Sequence, residues 1–136
     1  MMRLGDEAVS SMYRFLNEIK HELGISKKYG IFKYERPETF GDGAYIVINF
    51  LPFVHSDVIN EGYVNVNIHV PQTVNKEPDN AKLSKMVKCI TGRFCDSLYL
   101  DGFYFDFYCD SRPVKDNDNT FYVNLKFKVV YNDLKD

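Results

Sequence analysis

Residues 61–71, EGYVNVNIHVP, decide the fold. Val64, Val66, Ile68 and Val70 alternate with Asn65, Asn67 and His69, so this strand has one apolar face and one face that is polar but hardly charged. A strand of that kind belongs to a sheet with one buried side and one open side. Pro71, which has no N–H to give to a ladder, ends it.

The neighbouring stretches follow the same rule. Residues 44–50, AYIVINF, come after the turn-prone GDG and set Ile46, Ile48 and Phe50 on one face. Residues 29–34, YGIFKY, read as a first strand closed by Pro37. Three strands with short connections predict an antiparallel meander. In FYFDFYCD (103–110), Phe103, Phe105, Phe107 and Cys109 alternate with Tyr104, Asp106, Tyr108 and Asp110. In FYVNLKFKVVY (121–131), Phe121, Val123, Leu125, Phe127 and Val129 alternate with Tyr122, Asn124, Lys126 and Lys128. The SRPVKDNDN between them reads as a hydrophilic, mobile hairpin loop, and PQTVNKEPD (71–79) as another loop.

Two segments have a helical period. Val9, Met12, Tyr13, Leu16, Ile19 and Leu23 form an apolar stripe over residues 6–23, with Asp6 and Glu7 at the positive end and Gly24 as terminator. Leu83, Met86, Val87, Ile90 and Phe94 mark a second helix, from about Pro78–Asn80 to near Cys95. The order is α-β-β-β-α-β-β. Two helices with one apolar stripe each suit one sheet face. The expectation is a single α+β domain over 1–136, a two-layer sandwich of a mainly antiparallel sheet with two helices on one face. Its open face carries Tyr45, Asn65, Asn67, His69, Tyr104, Asp106, Tyr108, Tyr122, Asn124, Lys126 and Lys128, a surface of Tyr and Asn suited to mixed apolar and hydrogen-bonded contact.

Bulk properties narrow the function. A chain of 136 residues can bury a core without metals or disulfides. A formal net charge of −2 gives no global attraction to nucleic acid or anionic membrane. No apolar run approaches the roughly 20 residues of a membrane span, and the N-terminal MMRLGDEAVSS lacks a secretory signal. Cys89, Cys95 and Cys109 are odd in number and lack CxxC spacing, so reduced thiols and a cytoplasmic setting are expected.

Catalytic patterns are missing. GDG at Gly41–Gly43 is too short for a phosphate loop and reads as a turn. His21 sits at a helix end, His69 on the open face, and Cys89 near the apolar side of helix two, where such a residue is usually core. HSD (55–57) offers two ligand types without a third. Asp101, Asp110, Asp116 and Asp118 fall in turns, where aspartate is common, and the pattern suggests no cleft for an acid/base pair. The expectation is no enzyme, no cofactor and no metal. Lys82, Lys85 and Lys88 read as a solvated helix face. Tyrosines among Lys126 and Lys128 resemble base-stacking sheets only loosely, because FYFDFYCD lacks the basic and glycine residues of a ribonucleoprotein motif.

The connector LPFVHSDVI (51–59) places Leu51, Phe53, Val54, Val58 and Ile59 outside any regular strand. Monomers rarely expose so much contiguous apolar surface. It either folds back over the core or packs on another subunit.

In order and pattern the chain resembles the tail terminator and tail-completion proteins of long-tailed bacteriophages. The resemblance rests on YVNVNIHVPQ leading through a loop into AKLSKMVKCITGRF, and on the closing NTFYVNLKFKVVYN. It covers Glu7 to Tyr131 and has no signature residue. It implies a structural protein: a homo-oligomeric ring, usually a hexamer, that caps the tail tube and joins it to the head. It further implies other tail or connector proteins as partners, DNA only as it passes through the lumen, no membrane, and a place in the virion tail. The rival is a small ferredoxin-like binding module that holds a peptide, small ligand or RNA on its Tyr/Asn-rich open face.

Overall fold

The computed structural model of the chain describes residues 5–25, 30–37, 43–54, 60–94 and 97–131. Its axis is a pair of long strands, Asn60–Pro71 and Thr120–Tyr131, antiparallel in register from Asn60 opposite Tyr131 to Pro71 opposite Thr120. Around them lie, in chain order, α1 (Gly5–Glu18), β1 (Ile31–Lys33), β2 (Tyr45–Phe50), β3 (Asn60–Pro71), α2 (Asn80–Thr91), β4 (Leu98–Leu100), β5 (Phe103–Asp110), β6 (Val114–Lys115) and β7 (Thr120–Tyr131). The sheet order is β1-β2-β3-β7-β5-β4, and β6 takes up the start of β7, where β5 has left it.

The antiparallel two-layer sandwich is corrected here. Among the described residues the sheet has seven strands, is mixed, and curls into a half-barrel. Strands take 42% of the described residues against 26% for helices, so the sheet is the scaffold. The mixed character comes from β1, which pairs parallel with β2, Ile31 opposite Ile46 and Lys33 opposite Ile48. Residues 34–44, read as a short connection, approach the dozen or so residues that a parallel crossover needs. Two short strands, β4 and β6, were not foreseen. They carry too few residues to show a period.

One core holds the elements together. Val9, Met12 and Leu16 of α1 and Leu83, Met86 and Ile90 of α2 join Ile46, Ile48, Val64, Val66, Ile68, Leu125 and Phe127 of the sheet in a single buried cluster. Fully burying each such side chain contributes roughly 1.5–3 kcal/mol relative to exposure. Asp79 caps α2 by accepting a hydrogen bond from the Lys82 amide at 3.2 Å. The regular part of α1 stops at Glu18, and turns continue to Gly24, whose φ of 79° ends the segment as expected.

β5 departs from strict alternation. Phe107 pairs with Phe127 but Cys109 pairs with Lys126, so Tyr108 is an extra residue, a bulge. Cys109 is therefore exposed beside Lys126 rather than aligned with the buried phenylalanines. A period of two cannot reveal one inserted residue near the end of a strand.

The connector divides. Phe53 packs on the core, its ring edge-on to Phe50 at 6.0 Å between centroids. Its ring lies where a Cβ on Gly62 would sit, 2.2 Å from the nearest atom, so glycine is required there. Leu51 and Val54 stay exposed, Val54 at 67% although it bridges to Glu61. Val58 and Ile59 lie outside the described residues, as do His55 and Asp57. Among the described residues no helix is long and apolar enough to cross a membrane.

Candidate ligand hollow on the polar sheet face

The polar residues of β3 meet polar partners on both flanking strands. Asn65 Nδ2 donates to Asn49 Oδ1 at 2.9 Å, and Asn124 Nδ2 donates to Asn67 Oδ1 at 2.9 Å and to Asn65 Oδ1 at 3.2 Å. This asparagine ladder ties β2, β3 and β7 by their side chains as well as their backbones. Amide side chains carry both donor and acceptor, so neighbours of one type can satisfy one another.

Two residues further along β3, the register sets Tyr45, His69 and Tyr122 side by side on three adjacent strands. His69 stacks on Tyr45 at 4.3 Å and 9° and on Tyr122 at 5.0 Å and 28°. Only 6% of His69 remains exposed.

What covers it is the supposedly mobile loop. β6 pairs Val114 with Tyr122 and Lys115 with Phe121, folding the loop back along β7. Asn119 turns the chain at φ 63°, a left-handed conformation that asparagine tolerates. Asp116 and Asp118 are thereby brought over the histidine. Asp116 Oδ2 lies 3.6 Å from His69 Nδ1, and Thr120 Oγ1 lies 3.2 Å from the same nitrogen. The hydroxyls of Tyr45 and Thr120 both donate to Asp118. Arg36 reaches Asp118 Oδ2 at 3.5 Å while its guanidinium lies over the Tyr45 ring.

Arg36, Tyr45, His69, Asp116, Asp118 and Tyr122 line a hollow of about 450 Å³, together with Tyr34, Glu35 and Asn117. Burial lowers the His69 pKa, against the pull of Asp116 and Asp118, so the imidazole is neutral at neutral pH. Burial acts to raise the Asp118 pKa, but hydrogen bonds from Thr120 and Tyr45 outweigh it and hold that carboxyl below the usual range. The Tyr45 hydroxyl is pushed up, first by burial and then by its bond to Asp118. A neutral imidazole thus stands beside the ionised Asp118 carboxylate in an acidic recess that Asp116 also lines. Such a set can grip a cationic group or ligate a cation.

The open face of the sequence reading therefore has three parts. Asn65 and His69 are buried, Asn67, Lys126 and Lys128 are half-buried, and Tyr104 and Tyr108 are exposed. Tyr104 meets Tyr99 of β4 at 4.7 Å and Tyr108 meets Tyr63 at 5.3 Å, which makes an aromatic band across the far end of the sheet. The absence of a cleft, inferred from the pattern, is corrected by the hollow. Asp116 and Asp118 lie far from His69 in sequence, in a loop whose composition gives no sign that it folds onto the sheet. The Tyr45–His69–Tyr122 row could have been found from strand register alone.

The chain matches no family model and no curated protein sequence.

Proposed function

We propose that this protein is a structural subunit that assembles with copies of itself, of the type that forms the terminator or completion ring of a bacteriophage tail. The observation that carries this reading is the aromatic band. Tyr99 on the edge strand β4 and Tyr104 and Tyr108 on its neighbour β5 are 58%, 48% and 61% exposed. Tyrosine supplies large contact area with a hydrogen-bonding tip, which is why it is enriched at interfaces. Exposed Leu51 and Val54 add apolar surface beside β2 and β3. A head-to-tail contact between unlike surfaces generates rings when the rotation closes. On this reading the partners are sister subunits and other tail or connector proteins, DNA passes through the lumen, and the protein is made in the cytoplasm and ends in the virion tail.

The test is light scattering after size exclusion, at micromolar concentration. The wild-type chain is expected to run as a multimer, and the Tyr99→Ser/Tyr104→Ser/Tyr108→Ser triple variant as a folded monomer. A wild-type monomer at every concentration overturns the reading.

The hollow favours a second reading, a binding module for a small cationic ligand, because its rim holds Glu35, Asp116 and Asp118 against the single guanidinium of Arg36. A monomer that retains such a ligand through purification supports it.

A further inference from the structure

We propose that His69, Asp116 and Asp118 form a binding site for one divalent transition-metal cation such as zinc or manganese. The imidazole and the two carboxylates each offer a ligand atom, and these atoms all lie within 4.8 Å of one another.

The spacing of the closest pair is informative. His69 Nδ1 and Asp116 Oδ2 are 3.6 Å apart, too far for a direct hydrogen bond. Tetrahedral coordination with metal–ligand bonds of about 2.0–2.2 Å holds its ligand atoms roughly 3.3–3.6 Å apart. The His69–Asp116 spacing is therefore that of two ligand atoms on one ion, and a change of side-chain rotamer at Asp116 or Asp118 is needed to bring all three atoms, now within 4.8 Å of one another, to that separation.

The surroundings are those of a built site. His69 is held in one orientation by rings on two neighbouring strands. The Asp118 carboxylate is oriented by Thr120 and Tyr45, the kind of outer support that ligating carboxylates usually have. Asp118 Oδ1 accepts from the hydroxyl and the amide of Thr120, and Oδ2 accepts from Tyr45 and faces Arg36 at 3.5 Å, so a cation at Asp118 takes the place of the Arg36 contact, the longest of the four. With three carboxylates against one guanidinium around the hollow, a divalent charge balances the site.

Ligand type selects the metal. One imidazole with two carboxylates suits zinc or manganese, whereas calcium and magnesium prefer all-oxygen sets. Thr120 gives its one hydroxyl proton to Asp118, so His69 Nδ1–H donates to Thr120 Oγ1; on binding a cation at Nδ1 the imidazole proton moves to Nε2 and this hydrogen bond is given up. The metal would clamp the β6–β7 loop to β3, joining the loop to the sheet through the ion.

The test is calorimetric titration of the EDTA-treated, dialysed full chain with zinc chloride. The proposal expects one bound ion per chain. His69→Ala and Asp116→Asn should each lower the affinity by about 10-fold or more, and His21→Ala should leave it unchanged. Because cysteine thiols also take zinc, manganese chloride is used to locate the site through paramagnetic broadening of backbone amide signals, expected at His69, Asp116–Asp118 and Tyr122. No saturable binding, affinity unaltered by His69→Ala and Asp116→Asn, or broadening centred elsewhere overturns the proposal. Should His69→Ala fail to fold, Asp116→Asn, on the surface loop, still decides it. The outcome is independent of oligomeric state, so it separates from the assembly reading.

Discussion

The imidazole of His69 lies flat on the phenol of Tyr45, with ring centroids 4.3 Å apart and planes 9° apart, while Tyr122 closes on it from the opposite strand at 5.0 Å. Each aromatic contact of this type contributes about 0.5–1.5 kcal/mol beyond its buried area. Urea denaturation of His69→Ala should therefore show a loss of about 1–3 kcal/mol. His69→Phe, which keeps a ring in the stack, should lose less. Equal losses from the two variants would mean that the stack contributes nothing.

Asn124 donates to both Asn65 and Asn67, so replacing it tests the ladder. Asn124→Ala leaves two acceptors unpaired and should cost about 1–3 kcal/mol. Asn124→Asp sets a charged acceptor against two carbonyl oxygens and should cost more. Thermal melts of the two variants check that order; the reverse order would show that the ladder is solvated rather than mutually satisfied.

Gly62 lies under the Phe53 ring, where an added Cβ would come within 2.2 Å of it. Gly62→Ala should destabilise by about 1–3 kcal/mol, as overpacking does. In the Phe53→Ala background the glycine change should cost far less. The double-mutant cycle measures this coupling directly. Additive effects would place the ring elsewhere.

These contacts show how much the sequence could reveal. Alternation in 61–71 and 121–131 identified the buried faces of β3 and β7, and the helical stripes through Leu16 and Met86 identified the core sides of both helices. What stayed hidden depends on residues far apart in the chain. The parallel pairing of Ile31 with Ile46 depends on where residues 34–44 take the chain. The bulge at Tyr108 is a single insertion. The recess exists because Asp116 and Asp118 fold over His69, and aspartates in a hydrophilic loop look alike whether they face water or a sheet. The Tyr/Asn-rich face was legible as a face, but its division into ladder, hollow and aromatic band arises from cross-strand neighbours.

Tyr34 offers a pH signature. Its hydroxyl donates to Asp6, joining the end of β1 to the first turn of α1. Burial, the hydrogen bond to Asp6 and the Asp6 charge push its pKa up to about 12. The folded value lies above the ordinary tyrosine value of about 10, so the protonated hydroxyl stabilises the fold. That contribution is fully present below pH of about 10 and is lost as pH rises through about 12. Alkaline titration followed by tyrosinate absorbance should show a phase near pH 12 that Tyr34→Phe removes, while Tyr45, whose hydroxyl is pushed up further, still titrates later. An unchanged phase near pH 12 in the variant would contradict the assignment to Tyr34.

The two sides of the connector should respond differently to charge. Phe53→Asp places a carboxylate against the core and should destabilise by several kcal/mol. Val54→Asp changes an exposed side chain and should leave the melting temperature nearly unchanged while weakening self-association. Matched denaturation and light-scattering measurements separate these effects. A folded, fully assembled Val54→Asp variant would remove the connector from the interface.

The assembly reading is tested most directly by negative-stain electron microscopy of the wild-type chain at micromolar concentration. The prediction is closed rings with a central opening, lost when Tyr99, Tyr104 and Tyr108 are replaced by serine. A uniform field of single small particles from wild-type protein would contradict it.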